Sequence, residues 1–148
     1  MLRQLAVVSA MAFLGSVGTA IAAEYGTPAE AKAMLEKAVV AVKADKAKAL
    51  EMFTKGEGGF KDRDLYPYCG GPDGNFTAHP TLVGKSLKDL KDKAGKPLGV
   101  EVYAVAKDGS IAEVSYMWPR PGTTEPLVQK VSYFTKIGDQ VCAVGYYK

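Results

Sequence analysis

The chain has 148 residues, with 19 Lys and Arg against 16 Asp and Glu and a formal charge of +3 near neutral pH. That surplus is too mild for a nucleic-acid surface, and the basic residues are interspersed with acidic ones, which excludes nucleic acid as a partner. A single histidine rules out a two-histidine metal site.

In chain order, the first segment has the three parts of an export signal. Arg3 lies in a short n-region, an apolar run extends from Leu5 to Ala20, and Ala20-Ile21-Ala22 supplies small residues for cleavage. This predicts a signal peptide over residues 1–22 and one domain over residues 23–148, in the periplasm or secreted. The run is short for a bilayer span of about 20 residues; an uncleaved N-terminal anchor is the alternative.

Thr27-Pro28-Ala29-Glu30 combines an N-cap, a proline at the first helical position and a glutamate that can close a capping box. Ala31, Met34, Leu35, Ala38, Val39 and Val42 then recur at spacings of three and four, predicting a long amphipathic helix. A second helix is expected from Lys46 to Thr54, capped by Asp45 and ended by Gly56. Leu65 to Cys69 and Asn75 to His79 read as a hairpin around the turn residues Gly70 to Gly74. A short polar helical stretch follows around Leu87 to Leu90, in a lysine-rich segment (Lys85, Lys88, Lys91, Lys93, Lys96) whose interleaved Asp89 and Asp92 make it a solvated face. Another helix should run from Pro97 to Lys107. The last third predicts three strands, Ile111–Trp118, Val128–Ile137 and Gln140–Tyr147. The fold class is α+β: the long helix packs on one face of an antiparallel sheet of about five strands.

Cys69 and Cys142 are too far apart in sequence for a metal knuckle or a redox dithiol, and in an exported domain they are expected to pair; two buried free thiols are the alternative. Catalytic patterns are missing. No serine lies in a Gly-x-Ser-x-Gly elbow, and the Gly70–Gly74 run lacks the Lys-Ser/Thr of a phosphate loop. The reading is therefore not an enzyme, with no cofactor and no metal. Binding has more material. Strand alternation puts Tyr66 and Tyr68 on one face opposite Leu65 and Cys69, Tyr116 and Trp118 on a face with Val114, and Lys130 on a face with Ser132 and Phe134. A lysine inside an apolar strand is costly to bury unpaired. It meets an anionic ligand, meets an acidic side chain, or snorkels to water.

Several of these residues together resemble the single Cache domain family. They are Leu65-Tyr66-Pro67-Tyr68-Cys69, Asp73-Gly74, Ala78-His79-Pro80 with Gly84, Asp89-Leu90-Lys91-Asp92 with Gly95-Lys96-Pro97, Tyr116-Met117-Trp118-Pro119 with Pro121-Gly122, Lys130-Val131-Ser132-Tyr133 and Gly145-Tyr146-Tyr147. Cache domains are extracytoplasmic sensor modules of bacterial chemoreceptors and sensor kinases. The resemblance implies a long N-terminal helix on a PAS-like antiparallel sheet and a small pocket on the other sheet face. It also implies ligands such as short carboxylates, with Tyr68, His79, Tyr116, Trp118 and Lys130 lining the pocket; Tyr133 falls on the opposite face and reads as structural. The expected role is an exported sensor module, with a role in signal transduction or chemotaxis, that presents its ligand-bound state to a membrane receptor or sensor kinase. The alternative is an exported interaction or structural protein with the same fold and no functional pocket. Two features depart from the receptor pattern: the only long apolar run is the signal segment, and the cysteine pair is not a general family feature.

Overall fold

The structure, a computed structural model, describes residues 23–148; the predicted signal segment and its cleavage site lie outside the described residues. Helix α1 (Pro28–Ala44) starts as its sequence dictates. The Thr27 hydroxyl accepts the Glu30 N–H at 3.2 Å and the Glu30 carboxylate accepts the Thr27 N–H at 2.8 Å, closing the capping box. Helix α2 (Lys46–Lys55) begins with the Asp45 carboxylate accepting the Lys48 N–H and stops at Gly56, whose φ of 71° suits a residue without a Cβ.

Five antiparallel strands follow: β1 (Pro67–Gly70), β2 (Phe76–Ala78), β3 (Ala112–Pro119), β4 (Leu127–Ile137) and β5 (Gln140–Tyr147), with α3 (Leu98–Val105) between β2 and β3. Their order in the sheet is β2-β1-β5-β4-β3, so the last strand in sequence occupies the centre. The α1 stripe of Ala31, Met34, Leu35, Ala38 and Val42 packs with Phe53 of α2 against Cys69, Val131, Val144 and Tyr146. On the opposite face Tyr68, Tyr116, Phe134 and Ala143 pack beneath Leu87, Leu98 and Val102. One face of the sheet is thus roofed by a long helix, the other by a loop and the short α3. No helix among the described residues is long and apolar enough to cross a membrane.

The helical stretch expected at Leu87–Leu90 is a single turn instead. The N–H groups of Leu87 and Lys88 are taken by the Gly74 carbonyl at 2.8 and 2.9 Å, so tertiary bonds replace an i to i−4 ladder. The helix expected from Pro97 to Lys107 is shorter, with Pro97 as its N-cap and its last residue at Val105.

Cys69 and Cys142 form a disulfide between directly opposed positions of β1 and β5, with a Cα–Cα distance of 4.1 Å. The bond pins two neighbouring central strands on the α1 side, where both residues are fully buried. The chain-entropy model assigns a closed loop of 73 residues about 4 kcal/mol of stabilisation. Urea unfolding of the Cys69→Ala, Cys142→Ala double variant should therefore show a loss of up to about 4 kcal/mol, with the fold retained by circular dichroism.

Candidate functional site: a buried lysine in an aromatic pocket

The pocket-side face of the sheet is assembled row by row. Strand register places Tyr116, Lys130 and Tyr147 side by side across β3, β4 and β5, and in the next row Val114, Ser132 and Gly145. Gly145 is a packing requirement: a Cβ there would run into Ser132 Oγ and Lys130 Cε. The missing side chain is the space in which the lysine stem lies.

Lys130 is 2% exposed. Its only hydrogen-bond acceptor among the described residues is the Tyr66 hydroxyl, at a long 3.5 Å. The ammonium instead sits against two rings, 4.8 Å from the centroids of both Tyr66 and Tyr147. Burial pulls its pKa down from 10.5 to about 8, partly offset by the negative charge of Asp64. At neutral pH it is a cation with three N–H donors and one weak protein partner.

Around it the polar groups are tied to each other. Tyr116 Oη and Ser132 Oγ are 2.8 Å apart, Tyr68 Oη donates to Ser132 Oγ at 3.1 Å, and the two tyrosine oxygens are 3.3 Å apart. Burial raises the pKa of both tyrosines, so this triangle of hydroxyls stays neutral. Tyr66 is pushed up to about 12, by burial and then by the charge of Asp64. His79 Nδ1 accepts the Thr81 N–H at 3.0 Å, which leaves the ring proton on Nε2. Burial, and after it the nearby Lys130 charge, lowers the His79 pKa to about 4, so the imidazole is a neutral donor.

Tyr68, His79, Tyr116, Trp118 and Lys130 all line one narrow pocket. The structure adds Tyr66 together with the apolar Phe76, Leu82, Leu90 and Leu98. Its inner space is about 20 Å³, and it shares Tyr66, His79, Leu82 and Trp118 with an adjoining cavity, a vestibule of about 290 Å³. Tyr133 is on the other face, as strand alternation predicts, its ring 5.7 Å from that of Tyr146. Among the described residues no group of three or more His, Cys, Asp or Glu is placed to hold a metal.

The lysine-rich segment is not simply a solvated face. Asp92 is buried, its carboxylate accepting the N–H groups of Ala94 (2.9 Å), Lys96 (2.8 Å) and Met117 (2.8 Å). Burial opposes its charge, but those three bonds outweigh it and hold the carboxyl below the usual range. Lys96 Nζ donates to the Ser115 carbonyl at 2.8 Å and Lys93 Nζ rests 4.9 Å from the Trp118 ring. The segment therefore clips onto the outer edge of β3 and holds the pocket roof beside Trp118.

A helix-backed antiparallel sheet with a pocket on its free face is the architecture of PAS-like sensor domains. Comparison with known proteins places it more closely. The model of the family described as Single Cache domain 2 matches residues 4–145, and the chain belongs to that family. A methyl-accepting chemotaxis protein from Vibrio parahaemolyticus superposes with a TM-score of 0.64 at 25% identity, over 80% of this chain and 86% of that one. A Cache chemosensory domain solved as a basis for carboxylic acid recognition gives 0.55 at 21% identity, over 78% and 84% of the two chains. The periplasmic sensor domain of a chemotaxis protein gives 0.56 at 24% identity, over 78% and 86%. In these last two the likeness is one of fold. The methyl-accepting chemotaxis protein McpP of Pseudomonas putida is 38% identical over 56 residues, which is 38% of this chain and 10% of that much longer protein.

The unpaired ammonium has a thermodynamic signature. Its pKa is about 8 folded against 10.5 for the free side chain, so between those values the unfolded chain holds more protons and stability rises with pH. Below pH 8 the penalty is constant, on the order of 3 kcal/mol for a shift of this size. The Lys130→Met variant should be more stable than wild type at pH 7, by up to that amount, and the gap should close as pH rises from 8 toward 10.5. Urea unfolding of both proteins across that pH range reads the difference. Gly145→Ala should cost about 1–3 kcal/mol in the same assay, the usual range for an overpacked core.

Proposed function

We propose that this chain is an exported sensor domain that binds a short carboxylate at Lys130 and presents the bound state to a membrane signalling partner such as a chemoreceptor or sensor kinase. The single observation that carries this reading is a buried ammonium with no acidic contact, at the inner end of a pocket otherwise built from rings and neutral hydroxyls. A carboxylate supplies the missing counter-charge through charge-assisted hydrogen bonds. The neutral His79 Nε2–H and the Tyr66 hydroxyl offer further donors, and Leu82 and Trp118, which also line the wider cavity, flank the alkyl part. Tyr68 acts one step back, through its bonds to Ser132 and Tyr116.

Further support comes from the family. Its members include sensor domains of chemotaxis receptors, and carboxylic acid recognition is described for a Cache domain of the same fold. We read the site as one of binding rather than catalysis, because the basic nitrogen of its one imidazole, Nδ1, is taken by the Thr81 N–H and the proteins of this fold that the chain resembles are chemotaxis and sensor domains. The periplasm is the proposed location, with residues 1–22 as the cleaved export signal; a mature N-terminus at Ala23, read by mass spectrometry, is the expected result.

Isothermal titration with acetate, propionate and butyrate at pH 7 should give saturable binding. Lys130→Met should weaken it by about 1.5–3 kcal/mol, the range for hydrogen bonds to charged groups, or roughly ten- to hundredfold. Wild-type affinity should also fall as pH rises through about 8, by about tenfold per pH unit beyond it, because the anion needs the protonated lysine. Unchanged affinity in Lys130→Met would remove the lysine from the site.

A further inference from the structure

The dimensions of the pocket direct attention outward from Lys130. Its inner end, about 20 Å³, has room for little more than one water-sized group. A carboxylate held by Lys130 must therefore leave the rest of its molecule in the vestibule of about 290 Å³. Three cations line that vestibule: Lys61, Arg63 and Arg120.

They are not equivalent. Lys61 is exposed to solvent. Arg63 has spent its donors: Nε and Nη2 on Asp62, Nη2 also on Glu30 at 2.8 Å, and Nη1 on the carbonyls of Ala23 and Tyr25. Arg120 has not. Its guanidinium rests against the rings of Tyr25 at 3.7 Å and Tyr147 at 4.9 Å, which fixes it in place by its faces. Its Nη1 is buried and has no hydrogen-bond partner. Asp64 Oδ2 faces it at 3.7 Å, an ion pair too long for a hydrogen bond, so that oxygen too lacks a hydrogen-bond partner. Asp64 itself is off the vestibule wall, held by the Gly26 N–H on its other oxygen at 2.7 Å. The guanidinium's other donors, on Nε and Nη2, make no hydrogen bond among the described residues, and they belong to a residue of the cavity wall. Tyr147 connects the two cations, since Lys130 and Arg120 pack on the same ring.

We propose that Arg120 is the second anchor of the ligand and that the site selects short aliphatic dicarboxylates over monocarboxylates of equal length. One carboxylate meets Lys130 at the inner end, and the other accepts from the edge of the Arg120 guanidinium that is not turned to Asp64, at the vestibule wall. Asp64 behind the guanidinium sets its orientation. This inference rests on the carboxylate reading above and adds the specificity.

Titration of the wild-type protein with butyrate and with succinate, two acids of the same carbon count, tests it. Succinate should bind on the order of tenfold tighter, the equivalent of one added charge-assisted hydrogen bond. In Arg120→Met that advantage should vanish while butyrate affinity stays within about twofold, which also shows the pocket to be folded. Lys130→Met should weaken both acids. Butyrate binding with no succinate advantage, or an advantage that survives Arg120→Met, overturns the second anchor and leaves the carboxylate reading standing. Equal loss of both acids in Arg120→Met overturns it too, because the arginine then holds the pocket's shape instead of a carboxylate. No binding of either acid to wild type removes the carboxylate reading itself, and the second anchor with it.

Discussion

An ammonium group taken out of water without an acidic contact is the constraint around which the pocket side of this protein is organised. Lys130 is buried in the middle of β4, and a bare charge in that position would be prohibitive in an apolar core. The protein meets the cost in parts: two ring faces, one long bond to the Tyr66 hydroxyl, and the more distant field of Asp64. What remains is visible as a pKa near 8. A carboxylate side chain beside the lysine would remove the penalty and also fill the site. Under the proposed function, that cost is stability conceded at a binding position.

Other features follow from that ammonium. Gly145 must lack a side chain because the lysine stem runs over it. The hydroxyls of Tyr68, Tyr116 and Ser132 close on one another and so are satisfied without the lysine. His79 is kept neutral by burial and by the lysine's own charge, so two cations do not meet in one small space.

The two faces of the sheet divide the remaining work. The α1 face is closed by a five-turn helix and by the Cys69–Cys142 bond between adjacent central strands. The pocket face is roofed by a loop and the short α3, tied down by backbone bonds such as those of Leu87 and Lys88 to Gly74 and by the Asp92 carboxylate on three backbone N–H groups. Rigid backing behind the strands keeps the row of Tyr116, Lys130 and Tyr147 in register, while access from solvent is left to the less regular side.

Local patterns alone determined a good deal here. The capping box at Thr27, the 3.6-residue stripe of α1 and the alternation in β3 to β5 depend on short-range chemistry, so the α+β class and the faces of Tyr116, Trp118, Lys130 and Tyr133 were legible directly. Alternation states which face a residue takes, but not which residues become neighbours. That depends on register, and only the sheet order β2-β1-β5-β4-β3 brought the C-terminal Tyr147 beside Lys130 and Cys142 opposite Cys69. The turn at Leu87–Leu90 carried a helical pattern, yet its N–H groups went to Gly74, a partner set by the fold. Asp92 sat among lysines and read as solvated until β3 was seen to supply the Met117 N–H. Arg120 lay in a Pro/Gly-rich loop with no pattern to mark it; its contacts with Tyr25 and Asp64, both far earlier in the chain, exist only because the segment around Tyr25 docks beside Asp64 at the pocket rim. The sequence by itself raised the expectation of an export signal and placed a lysine inside an apolar strand. The tertiary structure decided what surrounds that lysine, because contacts between distant strands and loops are set by packing that no local pattern encodes.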